Sequence, residues 1–177
     1  MECLPISNTE KIYQYLSAMA KSTFPSKRRM QWKLFLLGLL KIPMIGYCRP
    51  RIVDWSPEEV TVRIPLRRRT RNHFKSMYFG ALMVGADLTA GLHAYAFSLE
   101  KGWKVSFAFK SSKGEFLRRP DSDVTFEMNE GRAVEDLLIK SNETGERHHL
   151  EVPIAAYDSE GTKVAVFSLE LSVRVKK

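Results

Sequence analysis

Cysteine is scarce. Cys3 and Cys48 are the only two, and they form no CxxC pair. That excludes a disulfide scaffold and a cysteine zinc site, and it suits a reducing compartment. Metal spacing among histidines is missing too: His148 and His149 are adjacent on an expected strand, one side chain to each face, so no metal site is expected. Long apolar runs are also absent. Leu34 to Leu40 is apolar but bracketed by Lys33 and Lys41, far short of the roughly 20 residues a span requires. Met77 to Ser98 is long enough, but Asp87, His93 and three glycines interrupt it. It reads as a buried core helix, and no stable membrane insertion is expected. The Met-Glu-Cys-Leu-Pro start lacks the basic opening and immediate apolar run of a signal peptide, so a cytoplasmic location is expected. Acidic residues are outnumbered, 20 against 28 Lys and Arg, giving a net charge of +8. Such a surface attracts anions, among them nucleic acid, anionic lipid and the phosphates of coenzyme A.

What is present is ordinary for a globule: 44% apolar and 27% charged residues in 177, enough for one core without staples. Ser7-x-x-Glu10 resembles a capping box opening a first helix, with Ile12, Leu16, Met19 and Ala20 on one face. A second helix is predicted from about Lys27 to Lys41, stopped by Ile42-Pro43. Its apolar body either caps the core or docks on a membrane through Trp32 and its leucines. Glu59 to Leu66 alternates as a half-buried strand, and a long apolar helix follows from about Met77 to Leu99, ended by Gly102. Strands are expected over Trp103 to Lys110, Asp123 to Met128, His148 to Tyr157 and Lys163 to Val175. A short helix is expected over Gly131 to Lys140. In the last strand Ala165, Phe167, Leu169, Leu171, Val173 and Val175 face one way. One helix that is apolar nearly all round must be enclosed by strands. The expectation is an α+β fold with a curved antiparallel sheet around that helix, residues 1–46 forming a helical extension and 47–177 the main domain.

Between Met77 and Ser98, Asp87 is the only acid or base besides His93. A carboxylate in an apolar helix is costly to desolvate, so it has a reason to be there. Either it bonds a backbone amide or a buried Arg as a structural element, or it lines a pocket as a base or nucleophile. His93 lies six residues on, about 600° around the helix, so the two do not form a dyad.

The stretch Asn72-His73-Phe74-Lys75-Ser76-Met77-Tyr78-Phe79-Gly80-Ala81-Leu82-Met83-Val84-Gly85-Ala86-Asp87-Leu88-Thr89-Ala90-Gly91 resembles the core motif of hotdog-fold thioesterases of the phenylacetyl-CoA type. That motif runs Asn, a short loop, His-Gly-Gly, Ala-Leu, Ala-Asp and a small Ala-Gly. Its interval from second Gly to Asp matches Gly80 to Asp87 without gaps. Phe116-Leu117-Arg118-Arg119-Pro120 resembles the family's Phe-Leu-Arg-Pro segment. The likeness covers about residues 50 to 177 and is nearest to an uncharacterised hotdog branch with Tyr-Phe-Gly in place of His-Gly-Gly.

The resemblance implies a hotdog fold and hydrolysis of an acyl-CoA or acyl-carrier thioester. No cofactor is implied beyond the coenzyme A of the substrate. Asp87 would activate water or attack the thioester carbonyl. Gly80 would offer its backbone N–H to the carbonyl oxygen, Asn72 would help hold that oxygen or the water, and Ser106 would orient the water. Gly and Asp would come from different chains, implying a homodimer or a dimer of dimers. Tyr78 stands where the family has His, and Phe79 replaces its first Gly. Both would shape the substrate pocket, and a non-catalytic acyl-thioester binding or sensing protein is the alternative they leave open. Arg67, Arg68, Arg69 and Arg71 form either a solvated loop or, with Arg118 and Arg119, a clamp for coenzyme A phosphates or an acidic carrier. No aromatics are interleaved with them as single-strand binding favours, so nucleic acid is not the expected partner. His73-Phe74 superficially resembles the His-Phe-Pro of hotdog dehydratases, but the prolines that follow it there are missing.

Overall fold

The computed structural model describes residues 24–176. The helix expected from Ser7-x-x-Glu10 lies outside them. The first described helix, α1 (Lys27–Leu40), begins at Ser26, whose hydroxyl accepts the Arg29 N–H at 3.4 Å. Pro43 ends that pattern and also starts a second, short helix, α2 (Pro43–Cys48), where its missing N–H costs nothing. The two helices cross closely enough that a Cβ on Gly38 would stand 2.6 Å from the Gly46 nitrogen. Met30, Leu34, Ile45 and Cys48 are buried in the same core as the sheet.

Strands β1 (Arg51–Trp55) and β2 (Val60–Ile64) come next, then α3 (Phe79–Lys101), β3 (Lys104–Phe116), β4 (Val124–Met128), α4 (Gly131–Thr144), β5 (His148–Tyr157) and β6 (Lys163–Lys176). Every pairing is antiparallel, in the order β1-β2-β4-β5-β6-β3. The curved sheet encloses α3, which packs on β2, β4, β5, β6 and β3. Burial on α3 runs nearly all round, from Ala81 and Leu82 through Leu88 and Leu92 to Phe97. Gly102 ends the helix at φ 66° and its N–H returns to the Ser98 carbonyl. Along β6 the alternation expected from the sequence holds, with Phe167, Leu169, Leu171, Val173 and Val175 all buried. No described helix is long and apolar enough to cross a membrane.

Two strands differ from expectation. β1 is a five-residue edge strand with a register shift between Ile52 and Asp54, too short and polar to alternate visibly. β3 runs on past Lys110 to Phe116. Phe109 opposes Leu171 and Ser112 opposes Leu169, so Lys110 and Ser111 together face Glu170 in a bulge. Both bond Glu170, at 3.2 and 3.3 Å. Among the described residues β3 pairs on one side only, leaving thirteen residues of edge.

Candidate active site

The start of α3 is held by its neighbours. The Tyr78 N–H donates to the Thr70 carbonyl at 2.8 Å and the Met77 N–H to the Pro120 carbonyl at 2.9 Å. Thr70 is itself tied down, its hydroxyl donating to Pro65 O at 2.6 Å and accepting from the Arg67 N–H at 2.9 Å. The arginine loop is therefore a tight turn with outward side chains; Arg69 lies over the Tyr47 ring at 5.2 Å. Asn72 organises the next loop. Its Oδ1 accepts from the N–H groups of Phe74 and Ser76 and from the Ser76 hydroxyl, so only its Nδ2 donors remain for a ligand.

These contacts bring most of the expected residues to one place. Arg71 pairs with Met77 across the loop, and Tyr78 and Phe79 are 56% and 57% exposed at the helix start. The Arg119 guanidinium lies over Phe74 at 5.1 Å, which sets Arg118 and Arg119 beside the same loop. Phe79 meets Phe116 edge-on at 5.6 Å, and Phe116 meets Phe167 at 5.7 Å. This aromatic row, running from the surface into the core, does not show in the sequence, where Phe116 reads as a connector. The signal available in the sequence was an apolar Phe-Leu pair directly preceding Arg118.

At the first turn, the Ala81 and Leu82 N–H groups turn back to the Tyr78 carbonyl. The Gly80 N–H makes no bond to a described residue and points along the positive end of the helix. The Tyr78 ring leans across Gly80, where a Cβ would lie 2.7 Å from its Cε1.

Asp87 sits seven residues on, on the same face as Gly80 and about 10 Å further along the axis. Gly80 and Asp87 of one chain therefore do not meet around one carbonyl. The Asp87 side chain reaches solvent in the single chain and has no hydrogen-bond or ion-pair partner among the described residues. Packed protein around it desolvates the carboxylate and raises its pKa above the ordinary 3.8. One turn beyond, Gly91 passes close to the edge strand: a Cβ there would lie 3.6 Å from Phe107 and 3.8 Å from Phe109. Asp87 thus lies on the flank of α3 that is open beside the unpaired edge.

Ser106 is not brought to this flank. It opposes Arg174 on β6, on the outer face of the sheet, while Val105 and Phe107 on either side oppose the buried Val175 and Val173. Its hydroxyl accepts from Arg147 at 3.3 Å. His93 is also apart from Asp87. It is buried against Trp55, Phe24 and Phe97, with Nε2 2.8 Å from the Ser56 carbonyl.

A family profile described as "Domain of unknown function (DUF4442)" matches residues 31–173. The chain belongs to that family. A search of curated proteins returns no match. Among solved structures, this DUF4442 chain is similar to PA5026 of Pseudomonas aeruginosa, a protein of unknown function described as a probable thioesterase. The identity is 22%, over 82% of this chain and 95% of that one, with a TM-score of 0.69. Thioesterase HI1161 of Haemophilus influenzae is similar at 16% identity, over 87% and 94%, with a TM-score of 0.61. The Escherichia coli PaaI protein from the phenylacetic acid degradation operon is similar at 14% identity, over 82% and 94%, with a TM-score of 0.54. At these identities the likeness concerns the fold, and the fold is the hotdog fold.

Proposed function

We propose that this DUF4442 protein hydrolyses acyl-CoA or acyl-carrier thioesters as a homodimer. The observation that carries the reading is that Gly80 and Asp87 share one open face of α3, two turns apart, beside an unpaired strand edge. Two α3 helices lying antiparallel about a twofold axis would set Gly80 of one chain against Asp87 of the other. The two β3 edges would then continue one sheet into the next, covering main-chain groups that a lone edge leaves open.

In such a site the Gly80 N–H polarises the thioester carbonyl and stabilises the oxyanion that develops on it. Ionised Asp87 takes a proton from water as the water oxygen bonds to the carbonyl carbon. Collapse of the tetrahedral intermediate breaks the C–S bond, and the proton leaves with the thiolate. Phe79 and Phe116 offer an apolar wall for the acyl group. Arg71, Arg118 and Arg119 offer cations for the phosphates or for an acidic carrier. Asn72 contributes through Nδ2.

A specific contact favours a second reading, binding without turnover: the Tyr78 ring lies against Gly80, 2.7 Å from where a Cβ would stand, and crowds the helix start on which hydrolysis depends. Thiol release across short, long and aromatic acyl-CoAs, measured beside calorimetric binding of the same compounds, separates the two. Release establishes hydrolysis. Binding with no release establishes the second reading, and neither binding nor release refutes both.

A further inference from the structure

Helix α1 has the wrong outside for a surface helix. Its buried stripe is Met30, Leu34 and Gly38, which packs on the protein. The opposite face should be polar. Instead Trp32 is 60% exposed, Phe35 52%, Leu39 62% and Leu40 68%, and just past the helix Ile42 and Met44 are 45% and 60% exposed. Trp32 and Phe35 stack on each other at 5.4 Å, outside the core. An apolar patch of this kind on a soluble chain marks a docking surface.

Charge identifies what docks. From Ser26 to Val53 the chain carries Lys27, Arg28, Arg29, Lys33, Lys41, Arg49 and Arg51 and no Asp or Glu. The helix start is basic, against its own dipole, so these cations are not there to stabilise the helix. A second copy seated here about a twofold axis would bring like charges together. An anionic bilayer would not: the apolar face enters the headgroup boundary while the Lys and Arg stems snorkel to the phosphates.

We propose that the α1–α2 face, through Trp32, Phe35, Leu39, Leu40, Ile42 and Met44 ringed by cations, docks this protein on an anionic lipid surface without spanning it. The proposal stands independently of the thioesterase reading.

The test is co-sedimentation of the full chain with vesicles of phosphatidylglycerol and phosphatidylcholine, against phosphatidylcholine alone. The expected result is that protein pellets with the anionic vesicles and partitions at least about tenfold less onto neutral ones. Trp32→Glu/Leu39→Glu and Lys33→Glu/Lys41→Glu should each reduce anionic partitioning about tenfold or more while keeping the wild-type melting curve. Wild-type protein left in the supernatant overturns the proposal, whether a second copy or the chain's own N-terminal segment covers the face. So does pelleting that neither variant weakens.

Discussion

The Phe126 ring occupies the space in which a Cβ on Gly85 would stand. Gly85 lies mid-way along α3, where glycine weakens a helix, and Phe126 is fully buried on β4. The close approach of helix to sheet fixes how deeply α3 sits, and therefore where Gly80 and Asp87 emerge. Gly85→Ala is expected to destabilise the fold by about 1–3 kcal/mol through overpacking, despite alanine's better helix propensity. Denaturant unfolding checks this; an unchanged or raised midpoint would mean the ring moves aside freely.

His93 links stability to pH. The Ser56 carbonyl only accepts, so Nε2 carries the hydrogen, and Nδ1 is left buried without a partner among the described residues. Burial depresses the pKa below the ordinary 6.5, outweighing the Ser56 bond and the Glu58 charge, which both raise it. The unfolded chain therefore binds a proton that the folded chain refuses. Stability should fall as pH drops below about 6.5, and level off once the depressed folded value is passed. Thermal melts from pH 7.5 down to 5 should show that slope, and His93→Gln should flatten it. An identical slope in both proteins would assign it to other groups.

Asp87 shifts the opposite way, upward, so the folded chain holds its proton to higher pH than the unfolded one. Its contribution to stability is largest below 3.8 and declines as pH rises through the raised folded value. Asp87→Asn removes that charge, and at pH 7 it is expected to melt slightly higher than wild type. A lower melting point would show that the carboxylate is a structural support.

The dimer reading has its own check. Met83 and Val84 lie half-buried on the open face of α3, between Gly80 and Asp87. Met83→Arg/Val84→Arg should convert a dimer to a monomer by light scattering and abolish thiol release, with the far-ultraviolet spectrum unchanged. A wild-type monomer that hydrolyses substrate would contradict the shared site.

Much of this fold is legible in the sequence, for reasons that vary with the element. β6 alternates because one face is buried along its whole length, and α3 declares itself by being apolar all round. In the sequence β3 reads as ending at Lys110, because the Lys110-Ser111 bulge shifts the register and disguises Phe116 as loop. β1 is too short for any period to show. At the site, the Gly80-to-Asp87 interval and the Phe-Leu-Arg-Arg-Pro run pointed to residues that the fold sets on α3 and beside its start. Ser106 did not, since one step along a strand decides which face a side chain takes, and a single sequence does not display the pairing that fixes that parity.

The most direct measurement compares wild type with Asp87→Asn in thiol release from a panel of acyl-CoAs at neutral pH. Wild-type turnover is expected with at least one substrate, and a loss of about 10²–10⁴-fold in the variant, with the fold intact. Equal turnover in the two proteins would contradict this, leaving Asp87 without a role in the chemistry.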